Sequence, residues 1–240
     1  MSTTACNELG QPIGQAMPDW QGCRPPPRSA MEGRHVRVVP LARAQVDSLF
    51  DAYSDDTEGR VWTYLPVGPF FHRDAFEQWF DWALASNDPM FHAIVDKASG
   101  RALGVASYLR IEPSIGVIEV GYIAMAPALQ KTIQATEAMF LMMRRAFGEL
   151  GYRRYEWKCD DLNAASKSAA LRLGFSHDGR FPQAQVYKGR NRDTAWFSVL
   201  DKDWPRLERA FECWLDDDNF DAAGCQMQSL RDLTQASRRA

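Results

Sequence analysis

The stretch VGYIAMAPALQKTIQATEAM, Val120 to Met139, decides the fold. An apolar, strand-like run stops at Ala126-Pro127. Gln130, Lys131 and Thr132 follow as a short polar patch, and then helical periodicity begins. The first-turn N–H groups of a helix lack intrahelical acceptors and favour anions. A polar patch at such a junction therefore reads either as a plain capped connector or as a seat for a phosphorylated ligand.

Outward from this junction the chain alternates between the two periodicities. The segment TIQATEAMFLMMRRAFGELG repeats apolar residues at Ala135, Met139, Met142, Met143, Ala146 and Phe147, which predicts a helix closed at Gly151. Upstream, SIGVIEVGYIAM is apolar almost throughout, as a strand in the middle of a sheet would be. MFHAIVDKASGRALGVASYLRI predicts a hairpin turning over Lys97 to Arg101. HVRVVPL alternates as a short strand; RAQVDSLFDAYSD and RDAFEQWFDWALASN carry helical spacing, the second with Phe76, Trp79, Phe80 and Ala83 on one face. Downstream come a strand in RYEWKC and a short helix in NAASKSAALRLGF closed by Gly174. A hairpin through Lys188 to Asn191 and a terminal helix in KDWPRLERAFECWL complete the order. Strand, two helices, three antiparallel strands, helix, strand, helix, two strands, helix describes an α+β domain with a mixed, mostly antiparallel sheet, not a uniform βαβ array.

At 240 residues, 45% apolar and 25% charged, the chain can bury a real core and has an ordinary globular composition. A net charge of -3 and the lack of a basic stripe give no reason to expect nucleic acid as a partner. Arg231, Arg238 and Arg239 read as a solvated tail. The five cysteines are widely spread with no CxxC pair, and the four histidines form no HExxH pattern, so neither a metal nor a disulfide framework is expected. Reduced thiols, no secretory leader and no membrane-spanning run together predict a cytoplasmic location. Residues 1–33 are rich in Pro and Gly. Trp20 either anchors this arm or leaves it disordered. The expected division is an arm over 1–33, a domain over 34–215 and a tail over 216–240.

The element order and two motifs resemble the GCN5-related N-acetyltransferase (GNAT) superfamily, and within it the RimJ/RimL branch of ribosomal-protein N-terminal acetyltransferases. The likeness spans about Arg34 to Trp204. EVGYIAMAPALQKTIQATEA matches the family's strand and Gln/Arg-x-x-Gly-x-Gly/Ala loop, here Gln130-Lys131-Thr132-Ile133-Gln134-Ala135; NAASKSAALRLGF matches its Asn-x-x-Ser/Ala-…-Leu-Gly-Phe helix. The resemblance implies acetyl-CoA as co-substrate, with no metal. Its pyrophosphate would be held by Gln130 to Thr136 and its thioester would lie beside Ile123, Ala124 and Met125. Asn163 would meet the pantetheine arm, and Ser166 would donate to the CoA sulfur. The implied reaction is direct attack of a primary amine, on a small molecule or a peptide, in a ternary complex. A CoA-binding sensor without turnover is the alternative. Ile133 stands where the loop pattern has Gly, and a β-branched residue is poorly suited to positive φ.

Acetyl transfer to an amine also needs a proton acceptor. Glu119, set in an apolar strand, reads either as that base, directly or through a water, or as a carboxylate at the strand's exposed end or paired with Arg110 or Lys158. The resemblance also allows an ordered water chain in place of a fixed base. Ser166 and Asn163 have a local reading as well, an early-helix residue and its N-cap. Trp62, Tyr64, Phe70 and Trp79 lie where the family builds its acceptor pocket. At least half of those aromatics are expected to be plain core. The acidic run Asp51, Asp55, Asp56 and Glu58 would attract a cationic amine or simply face solvent. A homodimer is allowed by the sequence.

Overall fold

The computed structural model describes residues 5–239. In chain order its strands are β1 (Ala5–Cys6), β2 (Pro12–Ile13), β3 (Met31–Glu32), β4 (Val36–Pro40), β5 (Met90–Asp96), β6 (Ala102–Glu112), β7 (Val117–Met125), β8 (Arg154–Asp160), β9 (Ser176–Tyr187) and β10 (Arg190–Leu200). The helices are α1 (Val46–Ser54), α2 (Arg73–Ala85), α3 (Ile133–Arg144), α4 (Ala164–Arg172), α5 (Trp204–Leu215) and α6 (Leu230–Arg239). β1 and β2 form a small separate ribbon. The other eight strands make one sheet in the order β3-β4-β5-β6-β7-β8-β10-β9. Every neighbouring pair is antiparallel except β7 and β8, which run parallel.

Two cores lie on opposite faces of the sheet. One packs Ile118 and Val120 of β7 and Tyr155 and Trp157 of β8 against α3, α4 and α5. The other packs Phe91, Ala93 and Val95 of β5, Val105 of β6 and Ala124 of β7 against α1 and α2. α2 shows why it docks as it does: Phe76, Trp79, Phe80 and Ala83 recur at helical spacing and all are buried, the stripe its sequence predicts. α3 is buried nearly all round. That suits the crossover between two central parallel strands, covered from several sides. Its C-terminus widens into a π-turn at Arg145–Glu149, which the sequence periodicity runs through without a mark.

The segment before the domain is anchored. Trp20 donates its indole N–H to Ser114 O at 2.8 Å and lies under Arg153. Cys23 N–H reaches Pro113 O at 2.8 Å, and Arg145 donates to Ser29 O and Ala30 O at 2.7 and 2.8 Å. The strap then enters the sheet as β3. At the other end, α6 buries Leu230 in the first core. Met1–Thr4, Ala240 and the side chains of Arg238 and Arg239 lie outside the described residues. Among the described residues, no helix is long and apolar enough to cross a membrane.

Candidate active site

β7 and β8 pair only from Val117–Arg154 to Val120–Trp157, and then part. β7 runs on to Met125 and β8 to Asp160, so the two central strands continue unpaired with each other. At that end β7 carries a bulge: between its pairings to Ser107 and Val105 it has one residue more than β6. Tyr122 takes up the surplus at φ 48°. A bulge redirects backbone groups out of the ladder. Further along β7, Ala124 O accepts from Tyr53 Oη at 2.9 Å and Met125 O from Gln130 Nε2 at 2.9 Å.

The helix above the gap is capped as its sequence indicates. Thr132 is the N-cap of α3, extended at φ -98° and ψ 165°, and its Oγ1 accepts from Ala135 N–H at 3.1 Å. The Thr132 hydroxyl donates to Leu129 O at 2.6 Å. Ile133 and Gln134 open the first turn, where N–H groups have no intrahelical acceptor. The left-handed residue in the loop is Lys131, at φ 61°, not Ile133, which is the first helical residue and packs partly against the core. The strain expected of Ile133 therefore does not arise: the turn is made two residues earlier by an exposed lysine, and the β-branched side chain sits at helical φ. Gln134 lies beside Asp96, with Nε2 and Oδ1 3.4 Å apart. Thr136 Oγ1 accepts from Arg172 at 3.1 Å.

On the β8 side, Asn163 is the N-cap of α4 and its Oδ1 accepts from Ser166 N–H at 3.0 Å. Ser166 Oγ accepts from the Trp157 indole N–H at 2.9 Å. One oxygen lone pair is thereby occupied, and the hydroxyl proton is left to point elsewhere. The buried Cys159 thiol lies next to this hydroxyl, and burial pushes its pKa up.

Glu119 is 3% exposed and lies on the face of β7 opposite Ile118 and Val120, away from the α3 core. Its Oε2 lies 2.6 Å from Arg110 Nε and 2.9 Å from Lys158 Nζ. Both ion pairs named as alternatives exist at once. Lys158 Nζ also lies 2.7 Å from Glu156 and 3.9 Å from the centre of the Trp196 ring. Burial opposes the charge on Glu156, but its bonds to Arg154 and Lys158 outweigh that and hold its carboxyl below the usual range. Gly121, two residues on from Glu119 and on the same face, lets Leu109 and the Glu119 carboxylate pack over its backbone. A Cβ there would sit 3.4 Å from Glu119 Oε1 and 2.9 Å from Leu109 Cδ2.

The aromatic segment is mostly interior. Trp62 and Trp79 are 2% and 7% exposed and pack edge-on to one another, with Phe70 against both. Those two tryptophans are core, because the α1 and α2 stripes need apolar volume between them. Tyr64 is half-buried and reaches across to Leu162 O at 3.3 Å. Lys188, in the β9–β10 turn, donates to Trp62 O at 2.7 Å, and burial lowers its pKa. These two contacts tie the aromatic loop to the Leu162 loop and to the β9–β10 turn. The acidic run is spent on the surface: Asp56 accepts from Arg60 and Val61 N–H, Glu58 pairs with Arg60, and Asp51 lies near Arg101. Sequence reasoning did not reach Gly121, Tyr122, Trp157 or Lys188 as parts of the site. Only Gly121 carried a signal, a glycine interrupting an apolar strand two residues past a carboxylate. A cavity of about 550 Å³ elsewhere is lined by residues of β3, α3 and α5 and by none of β7 or β8.

Beyond Val120–Trp157 the parallel pair is open, and the N-terminus of α3 follows the end of β7. The acetyltransferase (GNAT) domain model matches residues 35–176, and the chain belongs to that family of acyltransferases. A GCN5-related N-acetyltransferase from Brucella melitensis is 45% identical, with 91% of this chain and 100% of that one covered at a TM-score of 0.89. A GNAT-family structure from Chromobacterium violaceum is 41% identical over 81% and 97% of the two chains, at a TM-score of 0.74. The RimL ribosomal L7/L12 alpha-N-protein acetyltransferase shares the fold alone, at 17% identity over 74% and 99% and a TM-score of 0.61. No curated protein sequence matches the chain.

Proposed function

We propose that this protein transfers the acetyl group of acetyl-CoA to a primary amine by direct attack in a ternary complex. The observation that carries the reading is the parting of β7 from β8 beyond Val120–Trp157, directly below the open first turn of α3. Residues 34–215 hold every part of this site. The amides of Lys131 to Gln134 cradle the pyrophosphate, with the Lys131 side chain free in solvent to approach it. Backbone N–H groups around the Tyr122 bulge, beside Ile123, Ala124 and Met125, face the thioester carbonyl. Bound there, acetyl-CoA supplies an activated acyl group on a thiolate leaving group.

The chain's own residues then handle protons. Glu119, held by Arg110 and Lys158, takes the proton of the attacking amine directly or through a water. Ser166, oriented by Trp157, has its hydroxyl proton available to the departing sulfur. The acceptor enters between Tyr64, Tyr122 and the β9–β10 turn. The RimJ/RimL likeness makes a peptide N-terminus one acceptor to test; spermidine, L-serine and kanamycin represent the small amines. The alternative, a CoA-binding sensor without turnover, is motivated by Ile133 at a glycine position; that residue is helical, and thiol release with an amine separates the two readings.

The test is release of CoA thiol with that panel. Turnover with one acceptor, lost in Glu119→Gln and reduced in Ser166→Ala, is the expected result. Turnover unchanged in the double variant would remove both role assignments.

A further inference from the structure

Arg110 is held in a conformation that a regular strand would not give it. Between the pairings Leu109–Glu119 and Glu112–Val117, β6 has one residue more than β7, and Arg110 sits in this bulge at φ 46°. The left-handed region costs a non-glycine residue about 1 kcal/mol or more, and it persists only where the surroundings impose it. Asp88 imposes it here. Its Oδ1 accepts from Arg110 N–H at 2.8 Å and its Oδ2 from Ile111 N–H at 3.1 Å. The loop before Asp88 is pinned in turn by Arg28 of the N-terminal strap, which donates to Ser86 O at 2.6 Å and Asn87 Oδ1 at 2.9 Å.

The bulge changes where Arg110 points. Leu109 lies directly across from Glu119, so the next residue of a regular pleat would project to the opposite face. With the bulge, the guanidinium instead reaches Glu119 as a fork, Nε to Oε2 at 2.6 Å and Nη2 to Oε1 at 3.3 Å. Such two-point contacts fix the plane of a carboxylate as well as its charge. Lys158 reaches Glu119 from β8 as well, but divides its charge between Glu119 and Glu156, while the half-exposed Arg110 guanidinium, among the described residues, bonds Glu119 alone.

We propose that Arg110 is a positioning residue for acetyl transfer, turned by Asp88 so that its two-point contact fixes the plane of the Glu119 carboxylate. The proposal rests on the reading of Glu119 as proton acceptor. The charged and titratable groups facing Glu119 are Arg110 from β6, Tyr122 from its own strand, and Lys158 and Glu156 from β8; Arg192 of β10 acts on Tyr122 from further off.

Arg110→Gln, Arg110→Lys and Asp88→Asn are compared with the unaltered protein and with Glu119→Gln. Thiol release from acetyl-CoA is followed across pH with the fastest acceptor among spermidine, L-serine, kanamycin and a free-amine pentapeptide. Arg110→Gln is expected to lower kcat about tenfold at unchanged KM for acetyl-CoA. Arg110→Lys recovers part of the rate, and Asp88→Asn falls between. The carboxyl carbon resonance of Glu119, identified by its loss in Glu119→Gln, changes its chemical shift when the two-point contact is lost and needs no acceptor. An Arg110→Gln profile and resonance that superpose on those of the unaltered protein, whatever happens to Tm, overturn the proposal. Full thiol release by Glu119→Gln instead removes the reading of Glu119 as proton acceptor, and the resonance still decides whether Arg110 governs that carboxylate.

Discussion

His92 makes the fold sensitive to acid in a way that can be worked through from its surroundings. It lies on β5 with no exposed surface, its ring edge-on to Tyr108 at 5.5 Å. Nδ1 is 3.2 Å from Met90 O, and among the described residues Nε2 has no partner. Burial, then the charge of Arg145, push its pKa down to about 4, against the contrary pull of the Met90 carbonyl. An unfolded histidine titrates near 6.5. Between those values the unfolded chain binds a proton that the folded chain refuses, so stability rises with pH across the window. The contribution is full above about pH 6.5 and lost as pH falls to about 4. A gap of about 2.5 units corresponds to roughly 3 kcal/mol in total, and to roughly 2 kcal/mol already lost at pH 5. Urea unfolding at pH 7.5, 6, 5 and 4.5, with the unaltered protein beside His92→Phe, reads the effect as a difference of slopes. The unaltered protein should lose roughly 2 kcal/mol more than the variant between pH 7.5 and 5. Parallel losses in the two proteins would refute the reasoning.

Three further outcomes are expected. The buried Glu137 carboxylate accepts from the N–H groups of Arg34, His35 and Val36 at 2.6, 2.7 and 3.0 Å, tying α3 to the β3–β4 turn. Glu137→Gln halves the acceptor oxygens and should cost about 2 kcal/mol in urea unfolding; a loss below about 0.5 would contradict the clamp. Gly121→Ala sets a methyl over Glu119 Oε1 and should lower kcat about tenfold with little change in KM for acetyl-CoA; unchanged kcat would mean that the carboxylate is not used from that side. Trp157→Phe removes the bond that orients Ser166 and, at about 1 kcal/mol, should cost about fivefold in kcat/KM; a rate equal to that of the unaltered protein would leave Ser166 without need of orientation.

Much of the fold was legible in the sequence because it rests on period and punctuation. The α2 stripe, the Thr132 and Asn163 caps and the glycine at 174 each follow from local chemistry that tertiary packing left in place. The candidate site was legible only where one short segment holds it, as at Gln130 to Thr136. What was not legible depends on register. A bulge is one residue of mismatch between two strands, and nothing in SYLRIEP or EVGYIAM alone marks Arg110 or Tyr122 as the surplus. The double engagement of Glu119 brings together β6, β7 and β8, and its partners were open to naming but not to being found simultaneous. Trp62 and Trp79 illustrate the reverse limit: an aromatic-rich loop looks the same in sequence whether it lines a slot or fills the space between two helices.

The central claim is that the open first turn of α3 binds the pyrophosphate of acetyl-CoA. Ile133→Pro tests it most directly. Proline is tolerated at the first helical position, and Thr132 already has the extended conformation that a following proline requires, so the change removes one amide with little disturbance of the helix. The measurement is a thermal-shift titration with acetyl-CoA, CoA and dephospho-CoA, with the variant's fold checked by circular dichroism. The account predicts a saturable rise in Tm with acetyl-CoA for the unaltered protein and a weaker response at every concentration for the folded variant. No shift with any CoA species in the unaltered protein, or equal shifts in both proteins, would contradict it.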